Sequence, residues 1–324
     1  MRTIWTWRRA ALGLAMTGTL AGCELAEMTI PDGSDLLVVE SILDAGRDEQ
    51  HVLLHHTLNG RRIGGEEGAS VRVRRGDGLE VAFEPAPAER CFSVDPAYSA
   101  GKDSVEVQAS CYVSPASAGR WVVPGESYEL RIETADGKRL HGRTTVPGPF
   151  ELHGLSPAAA RPMGEVGRCV LPPDSALALH WSIASGARAY VTHMKIEGLR
   201  EALAGRGIPD IPEVVELFGA SISERDTTIV VPTDLGVFER TKYSRELMLA
   251  IQDGFPEGAR VRLTIGAMDR NFVNAVRGGS FHPSGLVRIS SVVGDGVGVF
   301  GSLVPYALEV DVRRDGGEPC LAGT

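Results

Sequence analysis

Long hydrophobic runs, positive charge and aromatic residues are all scarce in this sequence, and each shortage argues against a class of function. After residue 22 no stretch approaches the ~20 uninterrupted apolar residues that a membrane-spanning helix needs. The 33 lysines and arginines are outnumbered by 42 acidic residues, which gives a net charge of −9. A chain with this balance lacks the basic excess on which nucleic-acid binding depends. Aromatic residues make up 6% of the chain, which is weak support for a sugar-binding platform.

The first 22 residues have the pattern of an export signal, with a basic stretch followed by an apolar one. Leu20-Ala21-Gly22-Cys23 is similar to the bacterial lipobox, in which the cysteine is acylated. We therefore predict a lipoprotein signal peptide at 1–22, lipid attachment at Cys23 and a polar tether at 23–34. Two or three acyl chains would anchor the protein stably, whereas one chain would not. An ordinary signal peptide with an accidental cysteine, or twin-arginine export through Arg8-Arg9, are the alternatives.

Four cysteines remain after Cys23, and they are Cys91, Cys111, Cys169 and Cys320. An even number in an exported protein predicts two disulfides, for which three connectivities are possible. We favour Cys91–Cys111, which would clamp the excursion between two strands, and Cys169–Cys320, which would pin the start of the second half to its end. Zinc binding is the competing use, but no two of these cysteines have the close spacing that zinc sites prefer.

Alternation of apolar and polar residues predicts many short β-strands, separated by turns rich in glycine and proline. Val146-Pro147-Gly148-Pro149 interrupts the pattern and is the predicted domain boundary. We predict a mainly β protein, with an immunoglobulin-like or transthyretin-like sandwich over 35–147. A larger β-sandwich-like domain with short helical insertions would follow over 150–324. The clearest alternating segments are VRVRR, YELRIET, ALALHWSI (Leu177, Leu179, Trp181 and Ile183 on one side), ARVRLTIGA and Tyr306 to Val312.

Helices are expected at three places in the second half. Residues 199–205 and 212–219 have the composition of short helical turns. Asp269 is placed to cap a longer helix that Gly278-Gly279 would end. The apolar face of that helix would carry Phe272, Val273 and Val276.

The order of several segments resembles one family. The first sandwich is predicted to open with LLVVESILDAG and to close with PGESYELRIETADGKRLHGRTTVP. A third segment near the end of the sequence reads AMDRNFVNAVRGGSFHPSGLVRISSVVGDGVGVFGS. This looks like domain-of-unknown-function family 4249, outer-membrane lipoproteins of Gram-negative bacteria that are often encoded beside TonB-dependent receptors. The most specific part maps onto Pro283 and then Ser290 through Gly301. Ser291-Val292 departs from the family pattern, as does a longer insertion near 198–226.

The resemblance carries no catalytic residues with it, because the family has none established. Glu24, which follows the lipobox cysteine, favours outer-membrane sorting by similarity to well-studied lipoproteins.

One glycine-rich segment satisfies a dinucleotide-binding pattern. Gly296 to Gly301 reads G-x-G-x-x-G, but a dinucleotide site needs a helix to follow, and SLVPYALEVDV has strand alternation instead. We interpret these glycines as permitting a tight bend or a close approach within a sheet.

Histidines and serines raise metal and hydrolase hypotheses. His51 and His55 would lie ~13 Å apart along one face of a strand, and His56 would point to the other face. We therefore predict partially exposed strand histidines rather than a metal site. Ser280 and His282 could belong to a hydrolase triad, but the sequence has no G-x-S-x-G elbow, and a surface turn is the favoured interpretation.

These features predict a non-enzymatic outer-membrane lipoprotein without a cofactor, held in the membrane through Cys23. We expect it to be an accessory or ligand-binding partner of a TonB-dependent transporter, with a small-molecule ligand that the sequence does not identify. The alternatives are an envelope structural or adhesion protein with immunoglobulin-like modules and, less favoured, a hydrolase with an unrecognised site.

Overall fold

A computed structural model describes residues 36–56, 64–91, 109–235, 243–278 and 290–322, and the structural statements below concern these ranges. The predicted signal peptide at 1–22, Cys23 and the tether at 23–34 lie outside them. Ser280, His282 and Pro283 also lie outside the described residues.

Seven strands come from the first half of the chain, and their side chains alternate between core and solvent as the sequence predicts. In the third strand Val71 and Val73 are buried, whereas Arg72 and Arg74 face solvent. The strands are β1 (Leu37–Asp44), β2 (His51–His56), β3 (Ser70–Arg75), β4 (Glu80–Ala86), β5 (Ser110–Val113), β6 (Ser127–Glu133) and β7 (Arg139–Thr145).

The second half contributes nine more strands, and the last of them is 17 residues long. They are β8 (Leu152–His153), β9 (Val166–Leu171), β10 (Leu177–Trp181), β11 (Ala189–Glu197), β12 (Val214–Ala220), β13 (Thr228–Val231), β14 (Arg260–Met268), β15 (Val292–Gly294) and β16 (Gly296–Val312).

The first sandwich consists of two sheets that share strand β4. One sheet has the order β16-β1-β2-β5-β4 and the other β4-β3-β6-β7-β15. Strand β4 belongs to both because its first part pairs with β3, up to Phe83 opposite Val71, and its last part pairs with β5, from Glu84 opposite Val113. The inner faces form one buried core, to which Val39 and Leu54 contribute from one sheet and Val73, Leu130 and Ile132 from the other.

A second pair of sheets buries a cluster of aromatic rings. The larger sheet has the order β12-β11-β14-β16, with β9 parallel to β16, and the smaller sheet has the order β13-β10-β8. Trp181 from the smaller sheet packs edge-to-face on Tyr190 from the larger one, at 5.3 Å between ring centroids. Phe150 completes the cluster by contacting both Tyr190 and Tyr306. The mainly β, sandwich-like fold with few helices is therefore confirmed.

Strand β16 joins the two sandwiches. Its first part runs parallel to β1, from Gly296 opposite Leu37, and its second part runs antiparallel to β14. Strand β15 pairs with β7, so a segment from the end of the chain completes the first sandwich. The described residues from 36 onward form one compact unit. The division into 35–147 and 150–324 stays a prediction, to which the structure adds this late segment.

Three α-helices occur in the described ranges, namely α1 (Leu199–Ala202), α2 (Arg245–Ile251) and α3 (Arg270–Gly278). Helix α1 lies within the predicted 199–205 segment. The helical prediction for 212–219 is wrong, because Val214–Ala220 forms strand β12. Val215 and Leu217 alternate into the core there, and pairing with β11 satisfies the backbone. No helix in these ranges is both long enough and apolar enough to cross a membrane.

One predicted strand is shorter than the alternation suggested. Strand β10 ends at Trp181, and Ile183 beyond it is 60% exposed, so the prediction that Ile183 lines the buried side is wrong. Backbone bonds to the neighbouring strands continue as far as Ser182, whose amide donates to the Glu151 carbonyl, and the chain then turns, with the Ala187 amide donating to the Ala184 carbonyl.

The structure contains two disulfides, Cys91–Cys111 and Cys169–Cys320, the pairing favoured from the sequence. The first bond joins Cys91, which follows the short turn after β4, to strand β5. The second joins strand β9 to the last described segment. The excursion at 92–108 that the first bond closes lies outside the described residues.

Candidate binding cleft

A cleft of about 690 Å³ lies on the outer face of the first sandwich, between strands β1 and β2 and helix α3. Its apolar wall comes from strand residues that face outward and from one face of the helix. That wall consists of Ile42, Leu53, Phe272, Ala275, Val276, Val299 and Leu303. Its polar rim consists of Glu40, Ser41, Asp44, Arg47, Glu49, Gln50 and His51.

Helix α3 is held over the sheet by its first residues. Asp269 caps it as predicted, because its Oδ1 accepts a hydrogen bond of 2.8 Å from the Phe272 amide. The Asn271 side chain donates to the carbonyls of Arg143 and Phe300, which belong to different sheets of the sandwich. The helix therefore bridges the two sheets at this edge and forms one wall of the cleft.

Gly301 allows the helix to lie this close to the sheet. A Cβ atom at this position would be 2.9 Å from the Phe272 amide nitrogen and 3.0 Å from Ile42 Cδ1. Any larger residue would therefore push the helix away from the strand and change the width of the cleft.

Carboxylates and histidines pair along the rim. His51 Nε2 lies 2.8 Å from a Glu49 carboxylate oxygen, and His55 Nε2 lies 3.3 Å from Glu40. Burial raises the pKa of Asp44, although the Gly46 amide and the charge of Arg47 act in the opposite direction. The rim thus carries three carboxylates and one arginine, and Arg90 next to it also pairs with Glu49, so the formal balance is slightly negative.

This arrangement suits binding of a molecule that has an apolar body and hydrogen-bond donors or positive charge. The Ser41 hydroxyl donates to the His51 backbone carbonyl at 2.9 Å rather than to a histidine ring. It is therefore not arranged as a serine nucleophile with its base. Within the ranges that the structure describes, no group of three histidine, cysteine, aspartate or glutamate residues could hold a metal ion.

The three histidines singled out in the sequence lie on β2 and have separate partners. His51 borders the cleft, and His55 on the same face is buried, although partial exposure was predicted for it. His56 is half-buried and lies 2.8 Å from the Glu66 carboxylate.

The segment from Ser290 to Gly301 is built into the sheet beside the cleft. The Ser290 hydroxyl accepts from the Gly298 amide at 2.9 Å, and the Ser291 hydroxyl accepts from the Phe300 amide at 2.8 Å. Gly296 lies against strand β1, where a Cβ atom would be 2.4 Å from the Leu37 carbonyl oxygen. The predicted close sheet approach is confirmed, and the segment opens a strand rather than a helix.

Cys91 is the predicted site residue that reaches the cleft; Cys111, Cys169 and Cys320 are buried structural cysteines. The sequence analysis missed the rim carboxylates Glu40, Asp44 and Glu49. The available signal was the alternation of β1, which places Glu40 and Asp44 on one face. Local patterns could not predict the cleft, because the helix that forms its other wall lies more than 200 residues later in the sequence.

Comparison with known proteins gives one family match and a distant structural match. No curated protein matches the sequence. Among solved structures, the fibronectin(III)-like modules of Clostridium thermocellum CbhA align over 86% of this chain and 94% of theirs, at 10% identity and a TM-score of 0.19. Residues 24–162, which include strands β1 to β8, match the family model described as a domain of unknown function, DUF4249, the family that the sequence resembles.

Proposed function

We propose that this protein is a non-enzymatic, lipid-anchored β-sandwich protein of the outer membrane that offers the cleft under α3 to a ligand or to a TonB-dependent transporter. The observation that carries the proposal is the cleft itself, in which an apolar wall faces a negatively charged rim. Apolar surface with a few placed polar groups is what binding sites for small molecules and peptides have in common. The lipobox-like sequence and the family resemblance support the choice of an outer membrane and a TonB-dependent transporter as the setting.

The test is photo-cross-linking in intact outer membranes. A photoreactive amino acid replaces Val276, which is on the cleft side of α3 and 41% exposed. We expect a TonB-dependent transporter, identified by mass spectrometry, among the products. Leu249 on α2 is the matched control, because it is also an apolar helix residue and is 56% exposed. Equal capture from both positions, or no transporter from either, would contradict the proposal.

A second variant distinguishes a transporter that binds in the cleft from one that only lies near it. Val276→Arg places a long charged side chain at the opening, and we expect it to abolish capture by a photoreactive group at Ala275. Leu249→Arg should leave that capture unchanged. An envelope structural role, which the shared strand β16 would suit, predicts instead that Val276→Arg changes neither nutrient uptake by the cells nor cross-linking from position 275.

A further inference from the structure

The outer face of the second sheet of the first sandwich carries a cluster of arginines. We define the arginine face as Arg72, Arg74, Arg131, Arg139 and Arg143, which project from the adjacent strands β3, β6 and β7. All five side chains point to solvent, because they occupy the exposed positions of alternating strands. Four of these side chains form ion pairs, and each is still at least half exposed to solvent, up to 79% for Arg143.

The charge of this face opposes that of the molecule. The same three strands contribute two acids, Glu129 and Glu133, to that surface, so five arginines leave a formal excess of +3 in a chain of net charge −9. Strand β4 adds Glu80, 3.1 Å from Arg72, and Glu84 at its far end. With these two glutamates the formal excess over the four strands is +1, and the positive charge lies on the three central strands.

The arginines are not fully neutralised by their neighbours. Glu129 is shared by Arg131 at 3.0 Å and Arg143 at 3.7 Å. In the part of the chain that the structure describes, Arg74 has no ion pair within 4 Å, although the register places it opposite Glu80 and Glu129. Arg72 lies directly opposite Arg131 across the strands, and like charges in that position oppose sheet formation. Each of these two arginines has one carboxylate partner, at 3.1 and 3.0 Å, and an external anion bound between them would relieve the remaining repulsion.

The face lies beside the point where the chain enters the fold. Leu37, the first residue of β1, pairs with Gly296, whose Cβ position is 2.5 Å from Leu140 Cδ2 on β7. The neighbouring Arg139 amide donates to the Asp295 carboxylate at 2.8 Å. A tether at 23–34 spans roughly 40 Å at most, so an acyl chain on Cys23 would hold this edge near the bilayer surface.

The arginine face and the cleft lie on opposite sides of the first sandwich. The cleft is on the outer surface of β1 and β2, and the arginines are on the outer surface of the sheet packed behind them. A protein lying on its arginine face would therefore leave the cleft uncovered by lipid.

We propose that the arginine face docks on the phosphate groups of anionic lipids in the membrane to which the protein is anchored. The planar guanidinium group donates two parallel hydrogen bonds to phosphate, and exposed arginines are attracted to anionic lipid surfaces. The choice of this membrane as the binding partner rests on the proposed lipid anchor. The inference that the face binds phosphate groups rests on the charges described above.

The test measures vesicle binding without the anchor. The mature chain carrying Cys23→Ala is mixed with vesicles of phosphatidylglycerol and phosphatidylcholine, or of phosphatidylcholine alone, at low and high salt. We expect binding to the anionic vesicles at low salt and its loss at high salt. The triple variant Arg72→Gln, Arg131→Gln and Arg143→Gln should bind roughly 100-fold more weakly, because three losses of about fivefold each multiply together.

The matched control removes the same charge elsewhere. Arg168, Arg260 and Arg262 are exposed, ion-paired strand residues of the second sandwich, and their change to Gln should leave binding within about twofold of the parent. Equal weakening by both triple variants, or equal binding to both vesicle types, would overturn the proposal. Binding to polyglutamate but not to anionic vesicles would also overturn it, in favour of an acidic protein partner. The protein in this assay carries no acyl anchor and no transporter is present, so failure of the assay is distinct from failure of the proposed function.

Discussion

Asp269 is a buried carboxylate on which the position of helix α3 depends. Its oxygens accept from the Phe272 amide, from the Ser302 amide at 3.1 Å and from the Thr144 hydroxyl at 2.7 Å. Burial raises the pKa of Asp269, and the hydrogen bonds from Phe272, Thr144 and Ser302 offset only part of that effect. One side chain therefore connects the helix, strand β16 and strand β7.

We expect Asp269→Ala to lower the free energy of unfolding by about 2–4 kcal/mol, because it removes the helix cap and leaves buried donors without an acceptor. Asp269→Asn should cost much less, since its amide oxygen still accepts from both backbone amides. Urea unfolding of the two variants beside the wild type measures the difference. Equal losses would show that the cap geometry is unimportant.

The same residue predicts a pH dependence. A carboxyl group whose pKa is raised in the folded state stabilises the fold at pH values below its unfolded pKa, ~3.9, and that stabilisation is lost as the pH rises through the folded value. The stability of Asp269→Asn relative to the wild type should therefore increase as the pH rises from ~4. Asp44 is present in both proteins, so its own raised pKa cancels in the comparison. A difference that does not change with pH, or that decreases, would contradict this account.

Among the secondary-structure elements, β16 has the most demanding sequence. Gly296 and Gly298 are glycines because the neighbouring backbone of β1 leaves no room for a side chain at those positions, and the later residues alternate because one face packs on a core. The Gly-rich segment could be assigned to a close sheet contact from the sequence, since no helix follows it. The three strand partners of β16, which are β1, β9 and β14, could not be predicted, because all of them lie outside any local sequence window.

We expect Gly296→Ala to destabilise the protein by about 1–3 kcal/mol, the usual cost of overpacking. The added methyl group would meet the Leu37 carbonyl oxygen at 2.4 Å and Leu140 Cδ2 at 2.5 Å. Gly64→Ala is the control, since no atom lies within 4 Å of its Cβ position. Hydrogen exchange should show faster exchange of the β1 amides in the first variant and no change in the second. Unchanged β1 protection in Gly296→Ala would mean that the contact is not as close as described.

Strand β12 shows where local patterns fail. The segment PEVVELFG contains good helix formers, and helical spacing fits its apolar residues about as well as alternation does. Pairing with β11 decides the outcome, and that partner lies outside any local window. Asp269 and helix α3 were predictable because a cap and an apolar face are both local signals.

At the scale of the whole molecule, the two disulfides close loops of very different length. Cys91 and Cys111 are 20 residues apart, whereas Cys169 and Cys320 are 151 apart. In the chain-entropy model the longer loop restricts the unfolded chain more, by about 5 kcal/mol against about 3 kcal/mol for the shorter loop.

We therefore expect Cys169→Ser with Cys320→Ser to lower the unfolding free energy more than Cys91→Ser with Cys111→Ser. Within each pair, the two single substitutions should cost the same, and the double substitution should cost no more than either one. Chemical denaturation of the single and double variants makes both comparisons. Additive losses at Cys91 and Cys111 would contradict the pairing.

The sequence predicted the fold better than it predicted the cleft. Alternation, turns and cysteine count each report on nearby residues or on composition, and they were sufficient for a sandwich fold with two disulfides. The cleft requires Glu40 and Phe272 to meet, and only the tertiary arrangement of β1, β16 and α3 brings them together. The arginine face similarly emerges from the cross-strand register of β3, β6 and β7 rather than from any run of basic residues.

Membrane anchoring is the claim on which the proposed function depends most, and metabolic labelling with radioactive palmitate tests it directly. The account predicts that the wild-type protein incorporates the label and that a Cys23→Ala variant, expressed to the same level, does not. An unlabelled wild type, or equal labelling of the variant, would contradict it.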